Sequence, residues 1–134
     1  MNTQTREIPR DEWKSFFDTF SRQHEGWLAT LEILSKDFGA QKEGDELPLS
    51  GVSLASGGDE PESISINLGS TPDNHVSHAV VGPTHVWLQQ TTAGANAALE
   101  IEASDGTQTL LRFRSALPSE MVDGVVSEDF QKEP

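Results

Sequence analysis

Cysteine is absent from the 134 residues. That removes disulfide frameworks, thiolate metal sites and thiol nucleophiles together, and leaves the redox compartment open. Long apolar runs are missing too. The longest are three residues, such as Val86-Trp87-Leu88, far short of the roughly 20 that a membrane-spanning helix needs. The first thirty residues carry Arg6, Glu7, Arg10, Asp11 and Glu12 where a signal peptide needs an apolar stretch. The cytoplasm is therefore the expected compartment.

Basic residues are also scarce. Nine Lys and Arg stand against 22 Asp and Glu, a net charge of −13. Nucleic-acid binding by counterion release needs clustered cations, and the closest pair here is Arg112 with Arg114. Neither a nucleic acid nor an anionic membrane is expected as a partner. The charge itself is accounted for by solubility and mutual repulsion.

What is present is patterned. Trp13, Phe16, Phe17 and Phe20 fall at i, i+3, i+4 and i+7, one face of a helix. Pro9 suits a first helical position, and Asp11 and Glu12 sit where the helix dipole favours negative charge. No capping side chain precedes Pro9, and Gly26 closes the pattern. The spacing predicts a helix over residues 9–24. His24 falls at its C-terminus, where a cation is favoured.

After Gly26 the period drops to two. Residues 27–34 read as a strand covered on both faces. A weak strand follows near 40–43, then one over 47–54 that Pro48 confines to an edge or bulge. Residues 55–62, with Gly57-Gly58 and three acids, read as a solvated loop. Further strands are expected at 64–68, 76–81, 84–91, 97–103 and 107–114.

The last two strands carry a register conflict. Asp105-Gly106 invites a two-residue type I′ turn, which would set Leu99 opposite Arg112. An odd-length loop instead groups Leu99 and Ile101 with Thr109, Leu111 and Phe113, and places Glu100 near Arg112 on the other face. A one-residue slip moves every side chain to the wrong face, so burial should override the turn preference. The expectation is a three-residue loop with Gly106 at a left-handed bulge position.

One helix followed by about seven short strands without βαβ alternation indicates an α+β domain. An N-terminal amphipathic helix would cover a mainly antiparallel sheet or plug a small barrel. The domain is placed at residues 9–118, after a flexible 1–8 and before an acidic tail, 119–134, whose composition suggests disorder.

No motif specifies a reaction. His75-x-x-His78 followed by His85 resembles metal-ligand spacing, but strand positions three apart point to opposite faces. Polar positions on a solvated sheet face are the plainer account, so no metal and no cofactor is expected. Gly51-Val52-Ser53-Leu54-Ala55 lacks the closing glycine and helix of a nucleophile elbow. Glu100 and Glu102 alternate with Leu99 and Ile101, and so face solvent rather than a shielded catalytic pocket. The balance falls on the side of a non-enzyme.

Trp87 is the most distinctive side chain. It shares a strand face with His85 and Gln89, away from Val86 and Leu88. A Trp among polar residues suits partner contact. Trp87, His85, Gln89 and His78 are the candidate contact residues. They fit a non-catalytic binding module for a protein or small molecule, one form of which is a homodimer through a sheet edge or the Trp87 face. The alternatives are a small-molecule-binding barrel, with Trp13, Phe16, Phe17, Phe20, Trp27 and Trp87 lining its cavity, and, behind it, a metal-dependent hydrolase built on His75, His78 and His85.

Several segments also resemble a known family. Glu7-Ile8-Pro9-Arg10-Asp11-Glu12-Trp13, Phe16-Phe17-Asp18 and Ser21-Arg22-Gln23-His24-Glu25-Gly26-Trp27 are similar to an uncharacterised bacterial family of short acidic single-domain proteins. Leu47-Pro48-Leu49-x-Gly51 and Leu110-Leu111-Arg112-Phe113-Arg114 extend the resemblance, which spans about residues 5–118. The family is known only as a domain of unknown function. The resemblance implies a bacterial, cytoplasmic, non-enzymatic protein and supplies no catalytic residues.

Overall fold

In the computed structural model, which describes residues 3–57, 60–71 and 73–114, the aromatic stripe becomes the buried side of helix α1 (Trp13–His24). Trp13, Phe17, Phe20 and His24 are buried there, each about one turn from the next. Burial of an aromatic of this size stabilises the fold by roughly 1.5–3 kcal/mol. The helix begins later than the expected residue 9. Pro9 is extended, no side chain caps the first turn, and Arg10–Glu12 form a 3₁₀ turn closed by Glu12 N–H donating to the Pro9 carbonyl. Without a cap, the tighter turn satisfies the leading amide.

Among the described residues, eight strands follow or flank the helix. They are β1 (Thr3–Glu7), β2 (Leu28–Ser35), β3 (Gly39–Gly57), β4 (Glu60–Thr71), β5 (Asn74–Val81), β6 (Pro83–Thr91), β7 (Asn96–Ala103) and β8 (Gln108–Phe113). All ladders are antiparallel, in the order β1-β6-β7-β8-β2-β3-β4-β5. This is the expected α+β class, and of its two forms it is the open sheet. β1 and β5 are the ends, and no described ladder joins them.

Of residues 1–8, expected to be flexible, the described part from Thr3 to Glu7 forms β1, and residues 1–2 lie outside the described residues. The side chains of β1 carry no apolar alternation, so nothing in the pattern marks a strand. It is held by pairing with β6, from Thr3 opposite Thr91 to Glu7 opposite Trp87, and by the buried Ile8, whose N–H donates to the Val86 carbonyl. Trp13 Nε1–H donates to the Ile8 carbonyl at 2.9 Å, which ties β1 to α1.

β3 merges two expected strands and part of a loop. Its first half pairs with β2 as far as Pro48 opposite Leu28, and its second half pairs with β4 from Leu49 opposite Leu68. The exchange of partners falls at Glu46, whose φ is +54°, and Pro48. Pro48 lacks an amide hydrogen and belongs where a ladder is interrupted. Helix α1 lies against this strand. Ser21 Oγ accepts from Val52 N–H and donates to the Val52 carbonyl, both at 2.9 Å. Gly26 N–H donates to the Leu49 carbonyl.

The β7–β8 hairpin takes the register that burial dictated. Leu99 lies opposite Leu111 and Ile101 opposite Thr109. Ser104–Gly106 form a three-residue loop in which Ala103 N–H donates to Thr107 O and Gly106 has φ +89°. One continuous core results, with Phe17, Phe20, Leu31, Leu49, Ile64, Leu99 and Leu111 among its members. The expected tail, 119–134, lies outside the described residues.

Candidate functional site

The outer face of β1, β6, β7 and β8 is built by strict alternation. Val86 and Leu88 point to the core, so His85, Trp87 and Gln89 point outward together. The His85 and Trp87 rings stack, with centroids 5.1 Å apart and planes 14° from parallel. His85 Nδ1 lies 2.8 Å from Glu7 Oε2. Trp87 has Glu7 directly across on β1 and Glu100 across on β7, while Glu102 lies across from His85. Carboxylates therefore flank the aromatic pair on both sides.

Beside Gln89 the face is concave. A hollow of about 310 Å³ is lined by Ala98, Glu100, Gln108, Leu110 and Arg112, with Gln89 on its rim. Arg112 Nε is held 3.2 Å from Glu32 Oε1 on β2. Three of the four candidate contact residues are thus brought together. Glu7 and the hollow went unseen in the sequence: β1 has no periodicity to announce it, and Leu110 lies opposite Glu100 only once the hairpin register is known.

His78 is elsewhere. It lies opposite Ile66 on the inner side of β5, between Val76 and Val80. Burial pushes its pKa below the ordinary histidine value, and Glu43 partly offsets that. His75 instead lines a groove of about 590 Å³ with Asp18, Ser21, Arg22 and Asn67, where α1 meets β3 and β4. The three histidines of the hydrolase alternative thus occupy three separate surroundings. Among the described residues no group of three or more His, Asp or Glu could hold a metal.

The aromatics expected to line a cavity are divided. Trp13, Phe17 and Phe20 are at most 2% exposed and form core; Phe16 and Trp27 pack against it. His24 belongs with them, and its reading as a helix-terminal cation is corrected. It is 3% exposed, stacks on Phe113 with centroids 4.9 Å apart and packs edge-on to Trp27. Nδ1–H donates to the Phe20 carbonyl at 2.7 Å, and Nε2 accepts from Asn96 Nδ2 at 3.1 Å. Asn96 Oδ1 in turn accepts from Gln90. Both ring nitrogens are satisfied by a neutral imidazole. Desolvation lowers its pKa, more than the Phe20 carbonyl raises it.

A family model described as a family of unknown function, DUF5335, matches residues 4–122. The chain belongs to that family. An uncharacterized protein of Aquifex aeolicus (strain VF5) is similar to this DUF5335 chain: 28% identical over 114 residues, covering 85% of this chain and 96% of the relative. No solved structure matches. The match takes in β1, α1, the whole sheet and the Trp87 face, so the bacterial resemblance carried by the opening motifs extends over most of the DUF5335 chain.

Proposed function

We propose that the chain is a non-catalytic interaction module that docks a basic segment of a partner protein on the outer face around Trp87. The observation that carries this reading is the stacked Trp87–His85 pair set between Glu7 and Glu100, next to the hollow over Leu110 and Ala98. An indole face flanked by carboxylates suits a Lys or Arg side chain, through cation–π attraction and charge together. The hollow takes the apolar part of the same segment, with polar groups at its rim. A chain of net charge −13 also draws cationic partners toward it in solution.

A photo-crosslinking residue placed at Gln89 in the bacterial host, followed by mass spectrometry, tests this. A partner captured at position 89, and lost in both Trp87→Ala and Glu100→Lys backgrounds, supports the reading. A partner retained equally by both variants, or crosslinked as strongly from Thr92 in the β6–β7 turn, overturns it.

A further inference from the structure

Four stretches of this sheet lack a strand on one edge among the described residues, and they are not alike. β1 is five residues long and carries Arg6 and Glu7. The first half of β3 pairs only with β2, and carries Lys42, Glu43, Asp45, Glu46 and Pro48 on a twisted, bulged backbone. The second half of β3 pairs only with β4, and helix α1 lies along its other side, where Ser21 Oγ takes both backbone groups of Val52. Shortness, charge, proline and bulges are the devices by which edges resist pairing.

β5 has none of them. Its eight residues, Asn74–Val81, include no Lys, Arg, Asp, Glu or Pro. Its register with β4 runs unbroken from Ser63 opposite Val81 to Leu68 opposite Val76. Val81, on the same strand, is one of two large apolar side chains that stand exposed among the described residues, at 56%. Its inner face is met by β3, where Gly44 lies close to Val76, and its Gly82 end by the β7–β8 loop, where Ser104 N–H donates to the Gly82 carbonyl. Gly82 N–H donates to Glu62 on β4. Alternation along the strand then turns the backbone groups of His75, Ser77 and Ala79 outward.

From this contrast we infer that β5 is a docking edge for a second copy of the chain, which adds its own β5 antiparallel about a two-fold axis. The occupant follows from charge. Most surfaces of a −13 chain repel another copy, and this strand has no formal charge to do so. A two-fold centred on Ser77 sets Ser77 opposite the partner subunit's Ser77 and His75 opposite the partner subunit's Ala79, with no like charges facing. The paired backbones would continue the sheet through both copies.

Sedimentation equilibrium of the full chain tests the proposal, the expected mass being twice the 14.6 kDa of one chain. Ser77→Pro removes an outward amide without taking a backbone hydrogen bond from β4, at the loss of the exposed side-chain bond from Ser77 Oγ to Asn67 Oδ1. It is expected to return the mass to one chain with an unchanged circular dichroism spectrum. Because proline can disturb the strand itself, a second variant uses the absence of native cysteine. Directly opposed residues in a hydrogen-bonded pair have Cα atoms about 5.5 Å apart, within disulfide reach. Ser77→Cys should therefore oxidise to a covalent dimer, while Thr92→Cys should not. A single-chain mass at all concentrations overturns the inference. Hydrogen exchange then shows whether the Ser77 and Ala79 amides are free or covered by the chain's own residues 115–134. A dimer that persists in folded Ser77→Pro, or crosslinks equally from Thr92→Cys, overturns it as well.

Discussion

His24 and Trp87 show how far a single side chain can be read before its neighbours are known. The periodicity that buries Trp13, Phe17 and Phe20 also places His24 on the buried face, four residues beyond Phe20. The helix-dipole argument pointed to a charged imidazole; the cost of burying a charge among Phe20, Trp27 and Phe113 outweighs it. His24→Ala is expected to cost about 2–4 kcal/mol, because it opens a cavity and strands the Asn96 amide. His24→Phe refills the volume and should recover part of that loss. Urea unfolding midpoints of the two variants measure both effects. Trp87 is the converse case. Alternation alone placed it outward beside His85 and Gln89, because Val86 and Leu88 left one face to choose. Trp87→Ala should cost only about 0.5–1 kcal/mol in the same measurement, the scale of a cross-strand pair. A much larger loss would mark it as a structural side chain instead of a contact residue.

Elements were legible wherever an apolar period existed to be read. α1, β2 and the β4–β8 strands all announced themselves, and the β7–β8 loop followed from weighing burial against turn chemistry. β1 did not, because Thr3–Glu7 contains no apolar residue and is held by backbone pairing. β3 was read as two strands, near 40–43 and over 47–54, because the apolar period lapses between them, whereas the chain bends there and changes partners at Pro48. Two turn glycines separate conformational strain from collision. At Gly106, φ is +89° and an added Cβ would meet only Lys36, at 3.4 Å. Gly106→Ala should cost about 1–2 kcal/mol, the price of a left-handed L-residue. At Gly69, φ is +97° and the same Cβ would lie 1.9 Å from the Asn74 carbonyl oxygen. The backbone of the β4–β5 turn must move to admit it, so Gly69→Ala should cost about 3 kcal/mol or more. Thermal unfolding of the two single variants, compared side by side, tests the ordering. Equal losses would mean that the turn at Gly69 yields more freely than its geometry indicates.

At the scale of the molecule, two opposed electrostatic effects set the dependence on solution conditions. The net charge of −13 makes the folded chain repel itself, and protonating carboxylates relieves that repulsion as pH falls. His24 and His78 act in the other direction. Burial lowers both of their pKa values in the folded chain, while the unfolded imidazoles take up protons near pH 6.5. Above that pH both states are neutral at these positions and the stability is fully present. As pH drops below about 6.5 the unfolded chain binds protons first, and stability is lost until the lower folded values are passed. The two effects are separable because salt screens exposed charges far more than it relieves the desolvation of a buried ring. At pH 8, where both histidines are neutral, added sodium chloride should raise the unfolding midpoint by weakening the acidic self-repulsion. At high salt, with that repulsion screened, lowering pH from 7 to 5.5 should reduce the midpoint, and His24→Phe should flatten this slope. Urea titrations over that range, in the parent chain and the variant, measure the difference. An unchanged slope in His24→Phe would show that His24 is not one of the groups whose protonation unfolds the chain.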